Sequence, residues 1–279
     1  MRRGTRSQMI EISGIHIYPV KSLRGVGVEA AMVEDGRMVG DREWVLVDAG
    51  GRFMHQRDYP GMARVAALPT SRGIVARAAG FKDLEVERPA FHTLAPEAIR
   101  PLKLWRRAAP VVHVGEEADA WFTDALKIQC RLLAFIPGVP GWNVPWYEER
   151  SSLQDATAFH VTAEESLADL NQRLSAPIPM SRFRPSLVVR GAEPYAEDDW
   201  RSLAIGDAVL RWVKPCTRCV ATTTDQETGE RLSREPLRTL ALYRRLGTEV
   251  TFGHYYCAER WGGPLRVGDT VKVVRVADA

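Results

Sequence analysis

The amino-acid sequence predicts an α+β fold that is mostly β, with a few helices inserted among the strands. Residues 10–110 form a series of short apolar runs separated by Gly, Pro and Asp, which is typical of an all-β sheet or barrel. Only three segments have the apolar spacing of a helix, and all lie after this series. With 279 residues and 45% apolar residues, the chain is long enough for two ordinary domains or one large one.

The predicted strands of the first half follow one another at short intervals. Residues 43–48 and 52–54 flank a Gly-containing turn, which indicates a β-hairpin. No parallel α/β unit is evident in this half. The other predicted strands lie at residues 15–20, 26–33, 63–68, 73–78, 84–88, 102–105 and 111–114.

Three helices are predicted in the rest of the chain. The first covers residues 115–128, and the second begins at a capping-box pattern at residues 162–165. The third begins near Ser233, because Pro236 is tolerated in a first turn and Leu237, Leu240 and Leu246 follow. Further strands are expected at residues 132–135, 187–190, 208–213 and 270–276, and a Pro/Gly/Trp loop at 137–146.

Composition excludes several classes of protein. The net charge is only +3, and the one basic run lies in residues 1–6, so a nucleic-acid partner is not expected. No apolar stretch has the length of a signal peptide core or of a membrane span. We therefore expect a cytoplasmic protein without a membrane partner. The four cysteines do not form a disulfide framework, and we expect reduced thiols.

The segment Cys216-Thr217-Arg218-Cys219 carries the strongest chemical signal. It follows the strand at residues 208–213 and a predicted stiff corner at Pro215. Lys214 and Arg218 favour the thiolate form, so at least one sulfur is a candidate soft-metal ligand or nucleophile.

Three interpretations of this cysteine pair remain open on the residues alone. A zinc site would need more ligands, and only the isolated Cys130, Cys257 and His254 are candidates. A thioredoxin-like dithiol should begin a helix, whereas residues 220–224 favour a strand. In the third interpretation both cysteines merely pack in a strand.

Several basic residues stand at the ends of predicted strands, among them Lys21, Arg42 and Arg184. Such side chains are most often solvated. They are also the groups that a phosphate or carboxylate ligand requires, since guanidinium binds phosphate in a bidentate manner.

An ordered set of motifs resembles the molybdenum cofactor sulfurase C-terminal (MOSC) domain family. The likeness runs from about residue 12 to 276 and is greatest to mitochondrial amidoxime-reducing components and to bacterial hydroxylaminopurine-reducing proteins. The motifs occupy residues 18–22 (YPVKS), 40–44 (GDREW), 166–171 (SLADLN), 183–185 (FRP), 195–200 (YAEDDW), 205–207 (IGD) and 216–225 (CTRCVATTTD).

The resemblance implies two domains with a molybdopterin cofactor between them. An N-terminal MOSC-associated β-barrel domain is expected at residues 8–130 and a MOSC β-barrel domain with inserted helices at residues 131–279, with the strands near residues 10–25 also contributing to the cofactor site. Ala156 and Ser186 differ from the Thr and Asn of a close relative, which shortens or removes two polar contacts to the cofactor.

The resemblance also implies the site residues. Cys219 occupies the position of the molybdenum ligand, while Cys216 is expected to shape or gate the pocket. Asp225 is a candidate proton relay, with a purely structural role in the turn before Gly229 as the alternative. The expected cofactor-binding residues are Lys21, Ser22, Arg42, Thr157, Arg184, Ser186, Thr217, Arg218 and Tyr255.

The implied activity is a molybdenum-dependent reduction of hydroxylamines, amidoximes or N-hydroxylated bases. No iron-sulfur domain or membrane anchor is expected in this chain, so electrons would come from a separate donor such as a flavodoxin, a ferredoxin or a cytochrome-like protein. Two alternatives remain. One is a sulfur-carrier or cofactor-binding module with a persulfide on Cys219. The other is a structural member of the family without activity.

Overall fold

The computed structural model describes residues 9–105, 107–139 and 152–276. This part of the chain contains nineteen strands and three α-helices, which confirms the mostly-β α+β prediction. In the first half the elements are β1 Glu11–Ile17, β2 Val26–Val28, β3 Ala30–Glu34, β4 Arg37–Met38, β5 Trp44–Asp48, β6 Ala66–Pro69, β7 Gly73–Arg77, β8 Leu84–Glu87, β9 Arg100–Leu104, β10 Arg107–His113, α1 Glu116–Leu126 and β11 Cys130–Phe135.

The second half contains the remaining elements. They are β12 Phe159–Ala163, α2 Glu164–Arg173, β13 Leu187–Arg190, β14 Trp200–Ile205, β15 Ala208–Thr217, α3 Leu237–Tyr243, β16 Arg245–Leu246, β17 Glu249–Arg260, β18 Pro264–Arg266 and β19 Val271–Val276. No helix in the described ranges combines the length and apolarity needed to cross a bilayer.

The largest sheet joins strands from both ends of the chain. Its nine strands in the described residues follow the order β19-β14-β15-β17-β12-β13-β1-β2, with β16 added to β17. Strand β1 pairs antiparallel with β13, placing Ile12 opposite Val189. Strands β12 and β13 pair in parallel on either side of α2, a unit that the sequence did not predict. The N-terminal strand therefore completes a sheet built mainly from the second half.

The first half forms smaller antiparallel sheets around their own core. One sheet has the order β5-β11-β10-β9 and another the order β6-β7-β8. Phe122 of α1 is fully buried in this core with Leu46, Ile74 and Leu132, because the apolar face of the helix packs onto both sheets. The predicted hairpin after β5 is confirmed, since Val47 pairs with Phe53 across the turn.

Helices α2 and α3 are confirmed, but three local details around α2, α3 and β15 are wrong. Ala163 caps α2 without a side-chain hydrogen bond, while the Thr162 hydroxyl donates to Met180 Sδ instead of acting in a capping box. Helix α3 begins at Leu237, four residues after Ser233, and Leu246 lies in β16. Strand β15 continues through Pro215 to Thr217 with shifts of register, so Pro215 makes no corner.

The segment after Cys219 also differs from its prediction. Residues Val220–Thr223 form one turn of 3-10 helix, because the Cys219 carbonyl accepts a hydrogen bond from the Thr222 amide at 3.0 Å. The threonine hydroxyls strengthen this turn by bonding to nearby carbonyls, an option that strand propensity does not include. Most of the predicted Pro/Gly/Trp loop, residues 140–146, lies outside the described residues.

Candidate functional site

A cavity of about 760 Å³, including the space at its mouth, lies where the two halves of the chain meet. The first half contributes the loop after β1 and the loop before β5. The second half contributes the segment before β12, the turn before β13, the end of β15 and the middle of β17. Residues that are far apart in sequence thus form one site.

Lys21 and Asp155 form an ion pair in the wall of this cavity. The Lys21 ammonium lies 2.5 Å from Asp155 Oδ1 and also donates to the Leu153 carbonyl at 2.8 Å. Burial lowers the pKa of Lys21, and Asp155 opposes that effect. Partial desolvation acts to raise the pKa of Asp155, but Lys21 outweighs it and holds that pKa below its ordinary value. Lys21 is therefore a fixed cation rather than a solvated surface side chain.

Two arginines lie over the ring of one buried tyrosine. The guanidinium carbons of Arg42 and Arg184 are 4.1 and 4.3 Å from the centroid of the Tyr18 ring. Both arginines have a left-handed backbone, with φ of 51° and 55°, which turns their side chains into the cavity wall. Arg42 is paired with Asp41 at 2.6 Å, whereas Arg184 donates to the Leu23 carbonyl. Burial lowers the pKa of Arg184 to about 10, so it stays protonated at neutral pH.

The two cysteines of the C-x-x-C segment have different environments. Cys216 is buried, and Arg218 Nη1 donates to its Sγ at 2.6 Å. Burial raises the pKa of Cys216 despite Arg218, so the prediction of a favoured thiolate is wrong for this residue. Cys219 is exposed, lines the cavity and begins the 3-10 turn. Lys214 is exposed and is not among the residues that line the cavity.

Strands β12 and β17 supply a histidine and a tyrosine to the cavity. The ring centroids of His160 and Tyr255 are 5.6 Å apart. Burial, followed by the charge of Arg218, holds the pKa of His160 well below its ordinary value, so this imidazole is neutral at pH 7. Gly253 has a φ of 70°, and a Cβ there would lie 2.7 Å from His160 Nε2, which makes glycine necessary at this position.

All the predicted cofactor-binding residues, together with Cys219, line this one cavity. Two of the uncharged hydroxyl groups among them also have partners, since the Ser186 hydroxyl accepts from the His160 amide and the Thr157 hydroxyl donates to the Phe159 carbonyl. Asp225 does not line the cavity. Its carboxylate accepts hydrogen bonds from the amides of residues 227 and 228 and from Arg182, contacts that fit the turn interpretation of this residue.

Seven further lining residues in the described part of the chain were not predicted as site residues. Phe183 belongs to the motif at residues 183–185 and Arg182 directly precedes it, so the motif was a signal in the sequence for both. His160 lies on a strand that is buried throughout, so no alternation identifies its face. The full set is Gln154, Asp155, His160, Arg182, Phe183, Ala221 and Thr222.

The lining has the charge expected of an anion-binding site. Among the described residues that line the cavity, Asp155 is the one acidic side chain, against five cationic ones: Lys21, Arg42, Arg182, Arg184 and Arg218. The buried Nε atoms of Arg182 and Arg218 have no hydrogen-bond partner in the described residues, although buried polar groups are normally paired. A phosphate-bearing cofactor with a soft metal fits these cations and the nearby Cys219 thiol.

Ordinary metal sites are not found in the described part of the chain. No group of three or more His, Cys, Asp or Glu side chains there is placed to hold an ion. His254, a candidate for a zinc site, instead accepts from Trp212 and contacts Asp198 at 2.8 Å. A metal at Cys219 would therefore need most of its ligands from a bound cofactor.

Comparison with known proteins identifies two domain models in the chain. Residues 9–129 match the MOSC N-terminal beta barrel domain, and residues 148–272 match the MOSC domain. These two matches cover the two halves that contribute to the cavity.

Curated relatives match nearly the whole chain. Mitochondrial amidoxime-reducing component 1 of Mus musculus is 33% identical over 97% of this chain and 84% of its own length. Mitochondrial amidoxime reducing component 2 of Rattus norvegicus is 34% identical over 97% of this chain and 85% of its own length. The molybdenum cofactor sulfurase of Oryza sativa subsp. japonica is 28% identical over 88% of this chain but only 32% of its own length.

Proposed function

Because the chain belongs to the MOSC domain family, with a MOSC N-terminal beta barrel domain ahead of the MOSC domain, we propose that it is a molybdenum-cofactor-dependent reductase of N-hydroxylated compounds. Its substrates would be hydroxylamines, amidoximes or N-hydroxylated bases, and a separate redox protein would supply electrons. The overall reaction consumes two electrons and two protons, breaks the N–O bond and releases one water.

One observation carries this proposal: an exposed thiol, Cys219, stands on a cavity whose other charged groups are mostly cationic. A sulfur carrier needs the thiol, and one neighbouring cation is enough to favour its persulfide, so it does not account for five converging cations. An anion-binding site needs the cations but not the thiol. A molybdopterin cofactor uses both, since it bears a phosphate and its metal prefers sulfur ligands.

The cations would hold the cofactor by its phosphate and orient its metal end toward Cys219. Arg182 and Arg218 line the cavity, and the buried Nε atom of each has no hydrogen-bond partner among the described residues, so both guanidinium groups are donors available to the bound anion after a small adjustment. Lys21 would act as a point charge that Asp155 fixes in position. Arg42 is already bound to Asp41 and would contribute mainly through its charge.

Cys219 would supply one thiolate ligand to the metal. When bound, the molybdenum cofactor would provide the two-electron chemistry that removes oxygen from nitrogen. Cys216 would stay a neutral thiol that holds Arg218 by accepting its hydrogen bond. His160 is neutral and buried beside Arg218, so it can accept a hydrogen bond without adding charge to the cavity.

The second candidate function is a sulfur-carrier or cofactor-binding module with a persulfide on Cys219. The observation that favours it is the exposure of this thiol, because an acceptor can reach it. The similarity to a molybdenum cofactor sulfurase also supports it, although the chain spans about a third of that relative.

Metal and pterin content of the purified chain, produced in a host able to make the cofactor, tests the proposal. We expect about one molybdenum and one pterin per chain, together with reduction of an amidoxime when a flavodoxin or ferredoxin donor is added. Cys219→Ser should lose the reductase activity. Arg211→Gln is a control, because this arginine lies on β15, the strand that precedes Cys219, but is not among the residues that line the cavity. Absence of molybdenum, with sulfide released by a thiol, would favour the carrier instead.

A further inference from the structure

A second cavity lies next to the proposed cofactor site and has aromatic walls. It measures about 780 Å³ including its mouth, and its aromatic side chains are Phe53, His55, Tyr59 and Trp105. The ring centroids of Phe53 and Trp105 are 4.7 Å apart in an edge-to-face arrangement, and those of His55 and Trp105 are 5.6 Å apart and nearly parallel. Binding sites for small molecules typically combine such apolar walls with a few polar groups.

The two cavities share a wall. Trp105 Nε1 donates to Asp155 Oδ1 at 2.9 Å, and this carboxylate lines the proposed cofactor site. The Lys21 ammonium, which pairs with the same oxygen, lies 5.6 Å from the centroid of the Phe53 ring. Phe53 and Trp105 therefore contact the aromatic cavity on one side and the charged pair of the cofactor site on the other.

Trp105 has features of a ligand-binding residue rather than of a core residue. Its φ of 53° lies in the left-handed region, as expected for the first residue of the two-residue connection between the paired residues Leu104 and Arg107, and this turn places the ring at the mouth of the cavity. It is 41% exposed although tryptophan has a large apolar surface to bury. The hydrogen bond to Asp155 and the contact with Arg57, 4.2 Å from the ring, hold it in this exposed position.

The charged residues that line the cavity, among those described, are Asp48, Arg52, Asp58 and Lys103, and Asp48 is paired with Arg52 at 2.9 Å. The side chain of Asp58 is 66% exposed, and its nearest charged or ionisable partner among the described residues is His55 at 3.5 Å. Burial lowers the pKa of His55, so this partner is uncharged at neutral pH. Asp58 thus keeps an acceptor free for an amino or amidine group at the mouth of the cavity.

We propose that this aromatic cavity binds the flat ring of the substrate and selects aromatic or heteroaromatic N-hydroxylated compounds over small aliphatic ones. The inference rests on the proposed reductase function and deepens it. The ring would pack against Tyr59 and Trp105 while the N–O group reaches past Asp155 into the neighbouring cavity. Lys21 and Asp155 then link substrate binding to the cofactor site.

Binding of an unreactive ring compound tests the subsite without any turnover. Titration calorimetry with benzamidine and acetamidine, on the protein isolated with its cofactor, should show binding of benzamidine at least about tenfold tighter than that of acetamidine, because aromatic contacts add to burial. Tyr59→Leu and Trp105→Leu should each weaken benzamidine binding about five- to tenfold. Tyr59 has no described side-chain contact with Asp155 or Lys21. Tyr59→Leu therefore removes part of the aromatic wall without disturbing the cofactor site, whereas Trp105→Leu can affect both. We call these two substitutions the wall variants.

Kinetics with benzamidoxime and acetamidoxime provide the second measurement. Both wall variants should raise the KM for benzamidoxime, relative to that for acetamidoxime, by about five- to tenfold. Phe81→Leu is the matched control, because this half-buried aromatic residue packs near Trp121, away from both cavities, and should leave the KM ratio unchanged.

Outcomes for the two proposals are distinguishable. Equal binding of benzamidine by the wild type and both wall variants would overturn the proposed subsite. Wall variants that raise the KM for benzamidoxime and acetamidoxime by the same factor would overturn it as well. If neither amidoxime is reduced but the wall variants still lose benzamidine binding, the subsite stands as a ring-binding site and the reductase proposal fails.

Discussion

Arg218 contacts Cys216 and not Cys219: its Nη1 atom lies 2.6 Å from the Sγ of the buried cysteine. The same guanidinium donates to the Phe183 carbonyl at 2.7 Å, so it connects the end of β15 to the turn before β13. The basic residue of the C-x-x-C segment therefore organises the cavity wall, and Cys219 remains free for a ligand. This division of roles leads to the first prediction.

Alanine variants of the two cysteines should have opposite effects. Cys216→Ala removes the acceptor of a buried guanidinium and should lower the free energy of unfolding by about 1–3 kcal/mol. Cys219→Ala changes an exposed side chain and should alter stability by less than about 0.5 kcal/mol while abolishing reductase activity, even where the cations retain the cofactor. Urea unfolding, metal analysis and amidoxime reduction by both variants provide the check. Full reductase activity of Cys219→Ala with the cofactor bound would refute the ligand assignment.

The Tyr18 ring should matter more than its hydroxyl. Tyr18→Phe loses the 3.0 Å hydrogen bond to the Pro185 carbonyl, which should cost about 1 kcal/mol of stability. Tyr18→Leu also removes the ring beneath Arg42 and Arg184, so it should cost about 2–4 kcal/mol and reduce cofactor content. Thermal unfolding and pterin fluorescence measure the two effects. Equal pterin content in both variants would show that the ring does not position the arginines.

Two glycines with similar backbone angles should respond differently to alanine. A Cβ at Gly253 would lie 2.6 Å from Thr162 and 2.7 Å from His160, while a Cβ at Gly51 meets no atom within 4 Å. Their φ angles are 70° and 77°. Gly51→Ala should therefore cost only the conformational penalty of about 1 kcal/mol, and Gly253→Ala more than about 3 kcal/mol. Similar losses in urea unfolding would contradict the predicted steric clash.

His160 should make the fold less stable as the pH falls below 6.5. Its pKa is lowered by burial in the folded state, so the unfolded chain binds a proton that the folded chain rejects. The contribution of neutral His160 to the free energy of unfolding is complete above its unfolded-state pKa of about 6.5. It is lost as the pH falls from about 6.5 toward the lower pKa of the folded state, by up to about 1.4 kcal/mol per pH unit. Unfolding free energies at pH 7 and 5 should differ less in His160→Asn than in the wild type. Parallel pH profiles would show that His160 does not carry this effect.

Substitution of Asp225 distinguishes its two predicted roles, proton relay and formation of the turn before Gly229. Its carboxylate bonds to the amides of residues 227 and 228, and these bonds lower its pKa, so it is ionised at neutral pH. Asp225→Ala should reduce stability by about 1 kcal/mol and leave kcat for amidoxime reduction within about twofold of the wild-type value. A loss of kcat above about a hundredfold, with unchanged cofactor content, would establish proton transfer by this residue.

Local sequence patterns predicted most of the strands and helices, because the alternation of buried and exposed side chains within one element is visible in a short stretch of sequence. The alternation at residues 43–48 and the apolar face at residues 115–128 correspond to β5 and α1 within a few residues. The same approach is wrong for residues 220–223, where side-chain hydrogen bonds within the turn outweigh the strand preference of valine and threonine. Strand propensity reflects the average environment of a residue type in many proteins. The environment of residues 220–223, beside the candidate site, differs from that average.

The site residues illustrate a different limit. Motif likeness directed attention to Lys21 and Cys219, and both line the same cavity. No sequence pattern indicates that Asp155 pairs with Lys21 or that Trp105 bonds to Asp155, because these contacts join segments up to 134 residues apart. Their geometry depends on how separate sheets pack, which is a property of the whole fold.

The pairing of β1 with β13 has a consequence for attempts to split the protein. A fragment that begins at residue 131 would lack β1 and would leave the hydrogen-bonding edge of Leu187–Arg190 open on one side. Open edges of this kind recruit strands from other chains, so the fragment should form aggregates. A synthetic peptide of residues 9–28, which carries β1, β2 and Lys21, would be the natural partner to rescue it by strand complementation.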